Sequence, residues 1–534
     1  MNRSKKATLA SLALLPVLVG AFVVQGKTSR SGAQLLDQVL TLVDKRYVDT
    51  LDAQALYEKA ARGLVRELND PYTELFSPKQ MEDFSRTTNG RYAGLGMEIT
   101  PLSGYITIGK VFPNTPAEKG GVLEGDKISL IDTANAKGQN SQWVQNRLIG
   151  EPGTPVTVTF IRPGVPQPLK LNFKRAVVHV PAVPYAMMLD DKVGFISVVR
   201  FSEATATEVD SSVRALTKRG AKGVIIDLRD NGGGILDEAF NMANIFLPQG
   251  KELLSVRGRG EFQRYVSQSQ PTALEIPLLV MVNGNTASAS EIVAGALQDY
   301  DRALILGQTS FGKGLVQSVY NLDGGYALKI TTGKWFTPSG RSIQKERKFI
   351  DGQFVEVTPD SMETDSMRKS RPVFKSQSGR TVYGGGAITP DIMVTPDTAT
   401  AAEQALAKLI FARYTDFNST LLQFGLEQKG KLKSDFKVTQ AWRDEIYNRL
   451  ATTGLKIPKP VYDAGASFVD RYIDARVGRA AFGDTTVERH YIPDDAQLQR
   501  AIAIMHNSAT QKDVFAAAAM ESKKGLAAKH GSQR

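Results

Sequence analysis

The sequence predicts a multidomain α/β protein, and two observations support this fold class. The chain has 534 residues, which exceeds the usual length of one domain. Between residues 193 and 306, short apolar runs alternate with segments of helical periodicity, and this alternation is typical of α/β architecture. The predicted strands are Val193–Val199, Val224–Leu228, Leu278–Val282 and Ala303–Leu306, and the predicted helices are Thr205–Arg219, Asp237–Phe246 and Ala287–Gln298.

The composition excludes several classes of protein. Hydrophobic residues make up 42% of the chain and charged residues 23%, as in ordinary globular proteins, so a disordered chain is excluded. The absence of cysteine excludes disulfides, thiolate metal sites and a cysteine nucleophile. With only four histidines, we expect no histidine-rich metal site. The net charge of +11 is mild and spread along the chain, which favours a solvated surface, then contact with membrane or anionic polymers, over nucleic acid binding.

The N-terminal segment 1–26 predicts export from the cytoplasm. Arg3, Lys5 and Lys6 precede an apolar run over Ala7–Val24, which is the pattern of a signal peptide or of a membrane anchor. The run has 18 residues and no clear small-residue cleavage site follows it, so both alternatives stay open. The positive-inside rule keeps the basic end in the cytoplasm. We therefore expect the rest of the chain in the periplasm or cell envelope, anchored to the inner membrane if the segment is uncleaved.

Hydrophobic periodicity divides the exported part into four regions. Apolar residues recur at three- and four-residue spacing after Ser31, which predicts helices interrupted at Asn69-Asp70-Pro71. Further on, Gln317–Asn321 and Ala327–Trp335 predict a β-hairpin, and the polar stretch Lys345–Arg380 predicts an extended loop. The four regions are a helical one over 31–88, short strands and turns over 89–176, the α/β region over 177–396 and a helical extension over 397–534.

Ser288 is a candidate nucleophile. It follows the predicted strand Leu278–Val282 and opens a helix, so its hydroxyl is presented at the helix N-terminus. The next backbone N–H, that of Ala289, is then free to donate to a negatively charged oxygen. The spacing Ser288-x-x-Glu291 is also that of a capping box, which is a purely structural alternative.

Lys313, within Phe311-Gly312-Lys313-Gly314, is a candidate general base. A histidine base is hard to supply, because His179 lies on a predicted linker and the other three lie in the C-terminal helical region. Lysine can replace histidine when burial disfavours the ammonium form. Gln317 falls on the same face of a strand, where its amide oxygen can orient the amine. The alternative is a surface lysine in a glycine turn.

The segment Asp227–Gly234 places three glycines between the predicted strand Val224–Leu228 and a helix. Backbone N–H groups at such a junction suit an anion or a developing oxyanion. The alternatives are a plain glycine-rich turn and a phosphate loop. Nucleotide binding is disfavoured, because no Gly-Lys-Ser/Thr follows and the dinucleotide-binding glycine spacing is absent. Arg229 and Asp230 are expected to be solvated or paired with each other.

The stretch Tyr92–Lys174 suits recognition of a chain terminus. Gly94-Leu95-Gly96-Met97 enters a strand, and the N–H groups of such a loop can bind a terminal carboxylate. The free edge of that strand can pair with an extended peptide. Two further glycine segments, Gly120-Gly121 and Gly150-Glu151-Pro152-Gly153, follow in order. A plain β-barrel with glycine turns is the alternative.

Together these segments resemble the carboxyl-terminal processing proteases, which are serine peptidases with a PDZ domain. The resemblance spans about Leu35 to Val394 and includes the family's spacing, since Lys313 lies 25 residues after Ser288 (313 − 288). The motifs that carry it are Asn69-Asp70-Pro71-Tyr72-Thr73, the PDZ-like region 89–176, Asp227–Gly234, Thr286-Ala287-Ser288-Ala289-Ser290-Glu291, Phe311-Gly312-Lys313-Gly314 and Gly385-Gly386-Ala387-Ile388-Thr389-Pro390-Asp391.

The resemblance implies a Ser–Lys mechanism that needs no cofactor, neither a metal nor a nucleotide. Ser288 corresponds to the family nucleophile, Lys313 to its general base and Gln317 to the residue that orients the lysine. The oxyanion hole would consist of the N–H groups of Ala289 and Gly233, while Glu291 and Ser290 would be structural.

The resemblance also implies a fold and a partner. The fold is a crotonase/ClpP-like protease core over 177–396, with a helical cap, an inserted PDZ-like β domain and a helical C-terminal extension. Leu95, Gly96 and Met97 would receive the C-terminal carboxylate of a protein substrate. Because the PDZ domain can gate the active site in this family, docking of a tail is expected to assemble the dyad.

The sequence departs from the family in two places. Asn231-Gly232-Gly233-Gly234 has glycine where many members have proline, which leaves the choice of oxyanion donor open. The residues after Pro396 lie outside the family core and could cover the active site, hold a homo-oligomer together or dock an adaptor. Two other functions are alternatives. One is a latent or inactive PDZ scaffold, and the other is an acyl-CoA enzyme, which the export pattern and the PDZ-like region disfavour.

Overall fold

The computed structural model describes residues 32–102, 104–162, 165–350, 353–356, 370–395 and 399–520. The predicted export segment 1–26 lies outside these ranges. Within them, no helix combines the length and the apolar character that crossing a bilayer requires. The described residues form two compact units: 32–81 together with Gln317–Thr331, and Glu82–Val316 together with the described residues from Thr332 onward.

Helices and strands follow one another in mixed order, which confirms the predicted α/β multidomain class. The described helices are α1 (32–46), α2 (Ala53–Glu67), α3 (Pro78–Asn89), α4 (Pro116–Lys119), α5 (Ser141–Leu148), α6 (Thr205–Lys218), α7 (Leu236–Asn244), α8 (Ala289–Asp299), α9 (Ala401–Phe411), α10 (Tyr414–Gln428), α11 (Gln440–Thr452), α12 (Lys459–Ala464), α13 (Ala466–Phe482), α14 (Asp484–Tyr491), α15 (Ala496–His506) and α16 (511–520). The described strands are β1 (Glu74–Phe76), β2 (Arg91–Gly94), β3 (Met97–Leu102), β4 (Tyr105–Val111), β5 (Lys127–Ile131), β6 (Ala134–Asn135), β7 (Pro155–Ile161), β8 (Leu169–Lys174), β9 (Ala176–His179), β10 (Ala186–Met188), β11 (Val193–Ser197), β12 (Gly223–Asp227), β13 (Glu252–Gly258), β14 (Phe262–Val266), β15 (Leu278–Val282), β16 (Leu304–Gly307), β17 (Leu315–Asn321), β18 (Ala327–Phe336), β19 (Arg347–Ile350), β20 (Gln353–Glu356), β21 (Val373–Lys375), β22 (Thr381–Tyr383) and β23 (Ile392–Met393).

The smaller unit includes α1, α2 and β1. Helix α2 begins after Asp52, whose carboxylate accepts the N–H of Ala55 at 2.9 Å and so caps the helix. Asp70 closes the next turn by accepting the hydroxyl of Thr73 at 2.6 Å and the N–H of Tyr72 at 3.0 Å. Strand β1 then pairs antiparallel with the first residues of β18. The Asp70 turn thus joins α2 to β1.

The larger unit is centred on a six-stranded sheet with the order β10-β11-β12-β15-β16-β23. Only β10 runs antiparallel to its neighbour; the other pairs are parallel. Strands β11, β15 and β16 are buried along their whole length, as in parallel sheets covered on both faces. Helices α6, α7 and α8 contribute to the core on one face, which contains Phe246 and Trp335. Helices α15 and α16 cover the other face through Leu498, Met505 and Val514, so the end of the C-terminal extension forms the second helical layer.

Residues 91–179 form a β region of the larger unit with its own core. The antiparallel sheet β3-β4-β5-β7-β8 carries β6 beside β5, and β3 lies at its edge. Ile108, Ile128 and Phe160 are fully buried in the core of this sheet, to which α5 contributes Val144. The two ends of the region meet in the antiparallel pair β2–β9.

Helices α9 to α14 form a further part of the larger unit. Its buried core residues include Leu406, Phe417, Phe424, Ile446, Tyr462 and Val477. This part contacts the 91–179 region, because the hydroxyl of Ser419 donates to the carbonyl of Pro101 at 3.2 Å. Lys429 also pairs with Glu124 at 3.6 Å.

The expectation of an extended loop over Lys345–Arg380 is wrong in part. Strands β19 and β20 pair antiparallel, and so do β21 and β22. The second hairpin turns at Gly379, whose φ is +87° and whose N–H donates to the carbonyl of Ser376 at 3.0 Å. The valine, threonine and aromatic residues beside this turn favour strands, although charged neighbours obscure them in the sequence. The other predicted hairpin is present as β17 and β18.

Candidate active site

Ser288 lies in the turn between β15 and α8. Its φ of +55° and ψ of −116° place a residue that has a side chain in the left-handed region of backbone space. This conformation is strained, and it is typical of nucleophiles at strand-to-helix turns. The hydroxyl of Thr286 supports the turn by donating to the carbonyl of Leu228 at 2.8 Å and accepting the N–H of Asn283 at 2.9 Å. Ser288 is therefore held half-buried at the start of α8.

Glu291 joins the serine turn to the lysine loop. Its fully buried carboxylate accepts the N–H groups of Ser288 at 2.8 Å and Lys313 at 2.9 Å, both through Oε2. Its Oε1 accepts the hydroxyl of Ser310 at 2.5 Å and the N–H of Gly312 at 2.7 Å. Burial raises the pKa of Glu291, and these four donors lower it only in part. One carboxylate thus fixes both loops, which exceeds the capping role that the sequence suggests.

Lys313 lies half-buried in the loop before β17. Its carbonyl accepts the indole N–H of Trp335 at 3.0 Å. The flanking glycines are required sterically, because a Cβ on Gly312 would lie 2.6 Å from Cγ of Lys345. A Cβ on Gly314 would lie 2.9 Å from the backbone nitrogen of Gln344. The loop therefore packs against the 343–345 segment more closely than other residues would allow.

Gly233 lies against the serine turn. A Cβ at this position would lie 2.9 Å from Cβ of Ser288 and 2.9 Å from the nitrogen of Ala289, and its φ is +94°. Ala289 is the first residue of α8, so its N–H has no acceptor within the helix. The structure therefore brings Ser288, Ala289 and Gly233 together. The N–H of Gly233 itself donates to Oδ1 of Asn231 at 2.9 Å.

Asn231 and Asp230 belong to the site in addition to the residues that the sequence predicts. Asn231 is fully buried, and its Nδ2 donates to the carbonyl of Val198 at 2.7 Å. Its backbone carbonyl accepts the N–H of Ala287 at 3.0 Å. The carboxylate of Asp230 accepts the side-chain amide of Asn285 at 2.8 Å. These bonds connect the glycine turn to the serine turn. The sequence indicates them only through the acid and amide residues that follow strands β12 and β15.

Of the two alternatives for Arg229 and Asp230, mutual pairing is wrong, and solvation holds only for Asp230, which is exposed. Arg229 pairs with Asp227 and with Asp495, each at 2.7 Å, and donates to the amide oxygen of Gln497 at 3.0 Å. Burial lowers the pKa of Arg229, but the two carboxylates outweigh it and the pKa is raised. Asp495 and Gln497 belong to the C-terminal extension, which is therefore anchored at the loop that carries the glycine turn.

Comparison with known proteins identifies the family of this chain. Residues 192–361 match the family model for Peptidase family S41. The carboxy-terminal-processing protease of Bartonella bacilliformis is 38% identical over 324 residues, covering 60% of this chain and 72% of that protein. The carboxy-terminal processing protease CtpA of Bacillus subtilis is 32% identical over 357 residues, covering 66% and 76%. This chain is a carboxy-terminal processing protease. The predicted resemblance and the serine-type peptidase activity are thereby confirmed.

Solved structures also match this protease. The photosystem II D1 C-terminal processing protease is 28% identical, with a TM-score of 0.34, and the match covers 61% of this chain and 91% of that one. A putative S41 protease from Bacteroides fragilis is 13% identical, with a TM-score of 0.37, covering 67% and 90%.

The third predicted catalytic residue of the protease, Gln317, lies on β17 in the smaller unit. Its side-chain amide donates to the hydroxyl oxygen of Thr331 at 3.5 Å within that unit. Ser288 and Lys313 belong to the larger unit. The orienting role of Gln317 stays a prediction from the resemblance.

The predicted tail-binding loop of the protease borders a cavity of 440 Å³, lined by Leu95, Gly96 and Met97. The cavity lies between the edge strand β3 and helix α5. Gly96 has a φ of +85°, and a Cβ there would lie 2.3 Å from Cβ of Thr115. The carbonyl of Leu95 accepts the N–H of Ala117 at 2.8 Å, which fixes the loop. The structure thus brings the three predicted binding residues to one cavity.

Proposed function

We propose that the protease is an exported endopeptidase with a Ser288–Lys313 dyad that selects envelope proteins by their C-terminal tails. The observation that carries this proposal is the shared carboxylate of Glu291, which accepts the N–H groups of both residues. This sharing keeps the two loops side by side, as a nucleophile and its base require.

In the proposed reaction, neutral Lys313 takes the proton of Ser288 as the hydroxyl attacks the peptide carbonyl. Lys313 then protonates the leaving amine, and a water molecule repeats the cycle on the acyl-enzyme. The resemblance assigns the orientation of the lysine to Gln317. The N–H groups of Ala289 and Gly233 stabilise the oxyanion.

A hydrogen bond within the glycine turn indicates that the proposed oxyanion hole is at rest, because one of its two donors is engaged. The N–H of Gly233 donates to Oδ1 of Asn231, so this bond must break before Gly233 can donate to an oxyanion. The latent-protein alternative shares this feature, and an assay with a tailed substrate separates the two.

The tail-binding cavity and the N-terminal pattern support the choice of substrates. Leu95, Gly96 and Met97 would accept the carboxylate of the tail through backbone N–H groups. The basic and apolar pattern of 1–26 supports export to the periplasm or cell envelope, with the segment either retained as a membrane anchor or removed. Docking of an adaptor and assembly into a homo-oligomer stay predictions for the C-terminal extension.

The test of this function uses the form that begins at Lys27 and a loosely folded protein substrate ending in Leu-Ala-Ala. We expect the parent to cleave this substrate and to cleave the same protein without the tail more slowly. Ser288→Ala and Lys313→Ala should lower kcat/KM about 10⁴-fold, because each removes a member of the dyad. Lys192→Ala, at an exposed lysine of the same unit, is the control and should leave turnover unchanged.

Three outcomes would contradict the proposal. Cleavage by Ser288→Ala or Lys313→Ala at the parent's rate would overturn the dyad. Equal cleavage of tailed and untailed substrates would overturn the tail selection. Absence of cleavage by the parent would favour the latent scaffold.

A further inference from the structure

Arg200 has a buried atom without a partner at the tail-binding cavity. This residue follows β11 of the protease core, and it lines the cavity together with the loop Leu95–Met97. Its Nε is buried and has no hydrogen-bond partner among the described residues. Burying a guanidinium N–H without a partner costs free energy, so its retention requires a physical reason.

Arg200 also supplies a positive charge to the cavity. Of the described residues that line it, Arg200 is the only basic one. The acidic residue of the lining, Glu98, is exposed on β3 and lies opposite Lys110 of β4 in the strand register. Glycines and apolar side chains make up most of the remaining wall. One arginine in a largely apolar groove is the arrangement that suits a ligand with a single carboxylate.

Tyr92 lies beside the loop and lines the same cavity. Its ring is close to Gly94, where a Cβ would be 2.7 Å from Cε2 of the tyrosine. Burial raises the pKa of the Tyr92 hydroxyl, and interaction with the backbone of Met97 and Gly96 lowers it in part. The loop itself offers only neutral backbone groups to an anion, so a carboxylate there lacks a charged partner.

We propose that Arg200 binds the terminal carboxylate of the substrate's tail in this cavity. The inference rests on the proposed function and deepens it, because it names the residue that distinguishes a chain end from an internal peptide. A guanidinium can donate two parallel N–H bonds to one carboxylate, and its positive charge attracts the carboxylate. The carbonyl of an internal peptide is neutral and gains no such attraction. The carboxylate takes the pairing that Nε of Arg200 lacks.

The position of Arg200 places this contact beside the glycine turn. The next residue, Phe201, donates its N–H to the carbonyl of Gly233 at 3.0 Å, and its carbonyl accepts the N–H of Ile235 at 2.9 Å. A Cβ on Gly234 would lie 2.0 Å from the carbonyl oxygen of Phe201. A test of Arg200 must therefore separate binding of the tail from turnover at the active site.

The experiment measures peptide binding to the full-length chain in mild detergent, in a Ser288→Ala background that prevents cleavage. The probe is a fluorescein-labelled peptide ending in Leu-Ala-Ala, with either a free carboxylate or an amide at its C-terminus, followed by fluorescence anisotropy. We expect Arg200→Gln to weaken binding of the acid peptide about 10- to 100-fold, since charged hydrogen bonds are lost, and to leave the amide unchanged. Arg200→Lys should retain part of the preference, because it keeps the charge and loses the fork.

Arg91→Gln is the matched control. It removes one positive charge from β2 of the same region, where Arg91 is exposed and pairs with Glu203 at 3.8 Å. We expect this variant to bind both peptides as the background chain does. With the active chain, Arg200→Gln should raise KM for a tailed substrate and leave the turnover of an untailed substrate unchanged.

Each contrary result has a distinct meaning. If the background chain binds acid and amide equally, recognition of the tail carboxylate fails together with this inference. If that chain prefers the acid and Arg200→Gln prefers it equally, the inference about Arg200 fails alone. An equal loss in Arg91→Gln would show a general charge effect, and a lower turnover of the untailed substrate would show a structural role. If Arg200→Gln does not fold, Arg200→Lys decides, because full retention of the acid preference would overturn the bidentate contact.

Discussion

The catalytic turns and the tail-binding cavity differ in how fully their buried polar groups are satisfied. At the turns, the carboxylate of Glu291 accepts four hydrogen bonds, and Asn231 is bonded through its side chain and its backbone. At the cavity, Nε of Arg200 has no partner among the described residues. The comparison indicates that the serine and lysine loops are pre-organised by satisfied hydrogen bonds, whereas the cavity contains a polar group that a ligand can complete.

Removal of the Glu291 carboxylate should have the largest effect on the pre-organised side of this comparison. In Glu291→Ala, four donors lose their acceptor, two of them buried, and the serine and lysine loops lose their common support. We expect kcat to fall about 10³-fold, because Ser288 and Lys313 would no longer be held in the alignment that the proposed reaction requires. We also expect a lower melting temperature, since unsatisfied buried donors destabilise the fold. Steady-state kinetics and thermal unfolding measure the two effects.

Glu403 provides the control for this prediction. Its carboxylate also closes a capping box, at the start of α9, by accepting the N–H of Thr400 at 2.7 Å. That N–H, with Ser467 and Arg471, lowers the pKa of Glu403 to about 2 from an ordinary 4.5. The stability it contributes is therefore complete above pH 4.5 and is lost as the pH falls through 2. Glu403→Gln should lower the melting temperature at neutral pH and leave kcat unchanged; equal losses of kcat in both variants would contradict the bridging role of Glu291.

The fold class and the serine turn could be predicted because their signals are local. A strand followed by Ser288 and a helix is visible within a dozen residues, and so is the alternation of strands and helices around it. The sequence does not predict the hairpin of β21 and β22, because charged residues surround its short runs of strand-favouring residues. The docking of α15 and α16 on the sheet could not be predicted, since an amphipathic helix does not reveal which face it will cover.

The candidate site was predictable only as a set of separate motifs. The capping position of Glu291 follows from its spacing to Ser288, but its bonds to Ser310 and Lys313 come from a distant loop that the fold brings near. Asn231 was likewise read as part of a glycine turn, because its contact with Val198 joins segments far apart in the chain. The approach of Arg200 to the tail-binding cavity depends on how the 91–179 region meets the core, which no local pattern encodes.

Two neighbouring glycines test the geometry of the oxyanion turn, with a smaller expected effect. Gly233→Ala would place a Cβ 2.7 Å from the carbonyl of Ala287 and 2.9 Å from Cβ of Ser288, at a φ that disfavours alanine. We expect kcat to fall about 100-fold through displacement of the nucleophile. Gly232→Ala meets no atom within 4 Å and should leave kcat near the parent's value. Equal activity of the two variants would show that the turn moves away from Ser288 in the working enzyme.

The smallest effect is expected at the tail-binding cavity, in the variant Tyr92→Phe. This change removes a hydroxyl that interacts with the backbone of Gly96 and Met97, so we expect these backbone groups to become more available to a tail carboxylate. We expect the acid peptide to bind about 2- to 10-fold tighter and the amide peptide to be unaffected, since one neutral hydrogen bond is at stake. Tyr105→Phe, on β4 and outside the residues that line the cavity, is the matched control. Weaker binding of the acid peptide by Tyr92→Phe would mean that the hydroxyl donates to the carboxylate, in which case the cavity is pre-organised like the catalytic turns.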